Sequence, residues 1–88
     1  MQISLDISLY PLKKEYSMPI LAFINQLETD PRVTVVRNTL STQLFGDFHH
    51  IMGLMTDEMA RAIELHPESI FVLKLVGQNR APKTHDAL

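Results

Sequence analysis

Cysteine is absent from the 88 residues, which excludes a disulfide framework and a thiolate metal site. Glycine occurs only at Gly46, Gly53 and Gly77, too far apart for a phosphate-cradling Walker loop or a dinucleotide fingerprint. No apolar run approaches the ~20 residues a membrane helix needs, and Met1 to Leu12 has neither the cationic start nor the unbroken apolar stretch of a signal peptide. Positive charge is not in excess: eight Lys and Arg face ten Asp and Glu, a formal net charge of −2. That balance gives no footprint for a phosphate backbone or an anionic membrane. The expectation is a soluble cytoplasmic protein with no nucleic-acid partner and no membrane insertion.

What the chain does have is apolar side chains, 45% of the total, enough for one small domain with a single core. Ile3, Leu5, Ile7 and Leu9 alternate with Gln2, Ser4, Asp6, Ser8 and Tyr10, the period of a half-buried strand that Pro11 ends. After a charged loop, Lys13 to Glu15, Ser17 stands where a helix cap belongs. Ile20, Phe23, Ile24 and Leu27 then follow at helical spacing up to about Thr29, ahead of Pro31.

Val33 to Asn38 is strand-like, Leu40 and Ser41 make a reversal, and Thr42 to Phe45 forms a second strand closed by Gly46. Asp47 offers an acceptor to the free amides of a second helix, with Ile51, Met55, Met59 and Ile63 as its expected apolar face and His66-Pro67 as its end. A last strand runs from Ser69 to Val76.

The order βαββαβ defines an α+β, ferredoxin-like sandwich: four antiparallel strands with two helices on one face. Residues 1–77 read as a single ligand-binding domain, and residues 78–88, polar and without periodicity, as a mobile tail. If Phe71, Leu73 and Leu75 point at the helices, Ile70, Val72 and Val76 point to the far side of the sheet, where a second copy of the chain is the economical cover.

Candidate chemistry concentrates in Ser8, Tyr10, Ser41 and Thr42, with Asn38 and Asp47 close in sequence. Hydroxyls, a phenol and an amide make a site that binds without reacting. Each also has a plainer reading: Ser41 as a turn residue, Thr42 as a strand former, Asn38 as a positive-φ residue, Asp47 as a helix cap. Adjacent on a helix, His49 and His50 point about 100° apart and do not converge on one ion, so no metal is expected. The chain lacks a G-x-S-x-G turn and an H-E-x-x-H helix, and neither catalysis nor a cofactor is expected. Met52, Met55 and Met59 read as core filler. Tyr10, Phe45 and Phe48 are the aromatic walls available to a ligand ring.

The string Ser8-Leu9-Tyr10-Pro11-Leu12, the pair Ser41-Thr42 and the following Gly46-Asp47 resemble the YkoF-like family of thiamine- and hydroxymethylpyrimidine-binding proteins. The resemblance runs to about Val76. It implies a ferredoxin-like fold and a non-catalytic pocket for thiamine or its pyrimidine part, linked to thiamine uptake or salvage, with Ser8 and Thr42 on the ligand. Family members often carry two such repeats in one chain, so it also implies that two chains associate. Two other readings stay open: a dimeric, cofactor-independent monooxygenase-like enzyme using His49, His50 and Tyr10 as acid or base, and a structural or regulatory dimer without a ligand.

Overall fold

The computed structural model describes residues 1–12, 14, 15 and 17–82. Its elements are β1 (Gln2–Tyr10), α1 (Ser17–Glu28), β2 (Thr34–Arg37), β3 (Thr42–Asp47), α2 (Phe48–Leu65) and β4 (Ile70–Val76). All strand pairs are antiparallel in one sheet of order β2-β3-β1-β4, with two helices, so the fold is the expected α+β ferredoxin-like one.

Register assigns the faces. Ile3, Leu5 and Ile7 of β1 stand opposite Gly46, Leu44 and Thr42 of β3, while Leu5, Ile7 and Leu9 stand opposite Leu75, Leu73 and Phe71 of β4. This is the helix-facing side, where Ile3, Leu5, Ile7 and Leu44 join Phe23 and Leu27 of α1 and Ile51 and Met55 of α2 in the buried core. Ser4, Asp6, Ser8 and Tyr10 lie on the other face with Val76, Lys74, Val72 and Ile70. There Ile70, Val72 and Val76 keep 41–49% of their surface, the expected uncovered side of the sheet.

Helix α2 departs from the expected apolar stripe. Ile51 and Met55 are fully buried, but Ile63 is 46% exposed, and the next buried position is Glu58. Steps of four residues advance about 400° around a helix, so each drifts about 40° past a full turn. The sequence Ile51, Met55, Met59, Ile63 therefore spirals off the core, while steps alternating four and three, through Glu58 and Ala62, stay on it.

The expected mobile tail starts at Gln78, whose carbonyl accepts the Ser4 hydroxyl at 2.7 Å; the Arg80 amide donates to the same Oγ at 2.8 Å. Asn79 Nδ2 donates to Gln2 Oε1 at 2.9 Å, so residues 78–80 are tied to β1. Residues 83–88 of that tail, and Lys13 of the expected charged loop, lie outside the described residues.

Asp47 acts as the expected cap: it is extended (φ −69°, ψ 136°) and its carboxylate accepts the His50 amide at 3.1 Å. That bond, with a contribution from the amino-terminal nitrogen, holds its carboxyl below the usual carboxylate range. Asp30 is lowered by the Arg32 amide and, further, by the His50 ring; Glu28 is lowered by the Arg37 guanidinium. A carboxyl with a depressed folded pKa contributes stability that is complete above its unfolded value, about 4, and is lost as pH falls through the folded value. Denaturant midpoints measured against pH are therefore expected to fall below about pH 4. Asp47→Asn is expected to flatten that acid limb; an unchanged slope overturns the assignment. High salt weakens the contributions of Glu28 and Asp47, whose side chains are open to solvent.

Candidate functional site

A cleft of about 530 Å³ opens where the end of β1 meets the Asn38–Ser41 turn and the buried side of α1. The period-two run of β1 stops at Pro11, and the β2–β3 turn closes through the Asn38 amide donating to the Ser41 carbonyl at 2.9 Å. Both chain reversals therefore leave polar side chains at one end of the sheet. Apolar wall comes from Ile7, Leu9, Ile20, Phe23 and Ile24; polar wall comes from Ser8, Tyr10, Asn38, Thr39, Ser41 and Thr42.

Five of the six expected site residues thus share one cleft. Asp47 does not: it pairs with Gln2 at the opposite end of β1, about 20 Å of extended strand from Ser8, and its carboxylate serves the α2 amides. The plainer reading of Asp47 as a cap describes what it does.

The five do not all present their side chains from one face. Thr42 stands opposite Ile7 and so belongs to the helix-facing side, whereas Ser8 is directed to the other face by the pleat. The Ser8 hydroxyl donates weakly to the Leu40 carbonyl at 3.4 Å, and the Ser41 hydroxyl donates to Asp6 Oδ1 at 2.6 Å. Lys74 Nζ lies 3.9 Å from the other Asp6 oxygen. Ser8, Leu40 and Ser41 also line a second depression on the open face, with Asp6, Gln43 and Phe45.

Thr42 is the best-placed group. Only 5% of it is exposed, it lines the cleft, and its hydroxyl makes no hydrogen bond to another described residue. No buried side-chain oxygen among the described residues lacks a partner, so the small exposed part of Thr42 includes its hydroxyl, which is available to donate and accept.

Of the aromatic walls expected, Tyr10 lines the cleft; Phe45 belongs to the open-face depression, and Phe48 lines neither. Phe23, read in the sequence only as a helix core residue, supplies the second ring. Thr39 was also missed; its place inside the turn that carries Asn38 and Ser41 is the signal that points to it.

His49 and His50 sit beyond Asp47, at the other end of the sheet from Tyr10. His50 Nε2 lies 2.6 Å from Asp30 Oδ2, and His49 stands edge-on to Phe48 with ring centroids 5.1 Å apart. Among the described residues no three His, Asp or Glu side chains are grouped to hold a metal ion. No described helix is long and apolar enough to cross a membrane.

No family model and no curated protein matches the chain. Solved structures share its fold. A protein from Streptococcus pneumoniae is 25% identical over 89% of both chains, with a TM-score of 0.72. A Thermotoga maritima protein described, provisionally, as one of thiamine biosynthesis or salvage superposes with a TM-score of 0.80, at 12% identity over 89% of this chain and 85% of that one. A domain of unknown function, DUF77, from Bacillus cereus gives 0.69, at 15% identity over 98% of this chain and 85% of that one. These likenesses establish the α+β architecture.

Proposed function

We propose that the chain is a non-catalytic binding protein whose cleft takes a small flat nitrogen heterocycle, thiamine or its hydroxymethylpyrimidine part, in thiamine uptake or salvage in the cytoplasm. The observation that carries the reading is a cleft that combines apolar wall with a few polar groups, among them Thr42, a buried residue whose hydroxyl has no hydrogen bond to another described residue. A cleft of about 530 Å³ falls within the 300–1,000 Å³ of small-molecule sites.

An aminopyrimidine offers an exocyclic amine donor and ring-nitrogen acceptors, which Thr42, Asn38 and Tyr10 complement, whereas the Ser8 hydroxyl is turned to the other face and engaged by the Leu40 carbonyl. Phe23 and Tyr10 supply ring contact. The string that resembles the YkoF-like family contributes Ser8 and Tyr10 to this same cleft, and the fold shared with the Thermotoga protein supports the class. The exposed apolar side of β4 supports a homodimer or higher homo-oligomer. An acid–base enzyme gathers less support, since His49 and His50 lie at the far end of the sheet from Tyr10, and His50 is engaged by Asp30.

Calorimetry with thiamine and with hydroxymethylpyrimidine tests the proposal: saturable heat with either is expected, and no heat with both removes it. Thr42→Val keeps shape and deletes the hydroxyl; it is expected to weaken binding by roughly 1 kcal/mol, about fivefold. Equal affinity in the variant shows that Thr42 does not touch the ligand.

A further inference from the structure

Phe45 of β3 is buried on a sheet face that is largely open. It stands opposite Ser4 of β1, on the side turned away from the helices, where Ile70, Val72 and Val76 keep 41–49% of their surface. Phe45 keeps 5% and Ser4 9%, yet Phe45 is no member of the core cluster beneath the helices. Neighbouring strands screen the sides of a ring that stands up from a sheet, not its top, so a further segment lies over this corner.

That segment is residues 78–82, which follow β4. The Ser4 hydroxyl donates to the Gln78 carbonyl at 2.7 Å and accepts the Arg80 amide at 2.8 Å, so one side chain ties down both ends of the crossing. Asn79 clips its rim: Nδ2 donates to Gln2 Oε1 at 2.9 Å, and Oδ1 accepts the Ala81 amide at 2.9 Å. Arg80 lines the open-face depression together with Ser4, Phe45 and Val76. Ala81 is half-buried, and residues 78–80 and 82 are exposed. A segment held by a few polar contacts with little apolar burial of its own opens locally at low cost.

We propose that residues 78–82 are a releasable strap that competes with a second copy of this chain for the open sheet face, so that opening the strap strengthens self-association. The inference rests on the homodimer reading above and adds what governs it. Charge selects a second copy as the occupant. Asp6 and Lys74 are cross-strand neighbours in the middle of the face, 3.9 Å apart. A two-fold axis over that pair sets each Lys74 beside the partner's Asp6, which makes the face complementary to itself. With the strap closed, the apolar surface of Ile70, Val72 and Val76 stops at Ser4. With it open, Phe45 joins Val76 across Ser4, and a partner buries the ring that the strap has given up.

The test compares the full chain with Ser4→Ala, which deletes both strap bonds at Oγ, and with Asn79→Ala, an exposed substitution that decides the matter if the first variant does not fold. NMR amide exchange at Arg80 and Ala81 reads strap opening, and sedimentation equilibrium reads self-association. The Arg80 amide is expected to be protected in the parent chain and to exchange faster in both variants. The dissociation constant of the pair is expected to fall at least about fivefold, the worth of one net hydrogen bond. Faster exchange with unchanged or weaker association overturns the competition. An Arg80 amide that is unprotected in the parent chain, or equally protected in a folded variant, overturns the strap. A chain that stays monomeric in all three forms overturns the homodimer reading as well, a result distinct from copies that associate regardless of the strap.

Discussion

Leu44→Ala is expected to cost about 2–5 kcal/mol of folding free energy. Leu44 has no exposed surface and lies on a central strand, cross-strand from Leu5 on one side and Val35 on the other. Leu27, Ile51 and Met55, each fully buried in the same cluster, belong to the two helices that close over it. Truncation loses the transfer free energy of three carbons and leaves a cavity that a two-layer sandwich closes only in part. Against the ~5–15 kcal/mol typical of a small domain, this is a large fraction. Urea unfolding followed by circular dichroism measures it as a lower midpoint at constant slope. Leu75→Ala is the internal control: Leu75 is on the same face but 48% exposed, and its loss is expected to be less than half as large. Equal costs at the two positions refute the placement of the core.

Gly46→Val is expected to destabilise by about 2 kcal/mol or more. Gly46 has φ +157°, at the margin of the region that side chains rarely enter, and a β-carbon there meets the Arg32 carbonyl oxygen at 3.2 Å and Ile51 Cδ1 at 3.5 Å. The close approach is what lets β3 pass under the loop before β2 and run directly into the Asp47 cap of α2. Gly53 is the opposite case, since its position on α2 is exposed and a β-carbon meets nothing within 4 Å. Gly53→Ala is expected to stabilise by roughly 0.5–1 kcal/mol through helix propensity and a less flexible unfolded chain. The pair differs in sign for one physical reason, space around the backbone, and two variants that shift the melting temperature in the same direction contradict it.

Several elements are legible without coordinates because their signals are local. The alternation from Ile3 to Leu9 sets the face of β1, Pro11 stops the strand, and Asp47 caps α2, each acting within a few residues of chain. The expected strands at Val33 to Asn38 and Thr42 to Phe45 differ from Thr34–Arg37 and Thr42–Asp47 only at their ends, where pairing with a neighbour, not propensity, decides the last ladder bond. Gly46, expected to close β3, lies within the strand, because the ladder with Ile3 and Gln2 continues past it.

The site was legible as a set of residues more than as an arrangement. Ser8, Tyr10, Asn38, Ser41 and Thr42 declare themselves by type at two chain reversals that register brings to one end of the sheet. That Ser8 and Thr42 are presented from opposite faces follows only from the β1–β3 register, which pairs Thr42 with Ile7. Phe23 looks the same in the sequence whether it fills the core or walls a cleft, and Asp47 looks the same as cap or ligand contact. His50 gives no local hint of Asp30, its partner 20 residues earlier.

By itself, then, the amino-acid order determined the periodicities, the stops and caps, and through them the succession βαββαβ, since all of these arise from interactions among near neighbours in the chain. Which hydroxyl lines the cleft without a protein partner, which carboxylate entered the seam between the helices, and which glycine had no room for a β-carbon were decided only in the tertiary structure. Those properties depend on strand register and helix rotation, which bring together groups distant in the chain, and local preference carries no information about what they will meet.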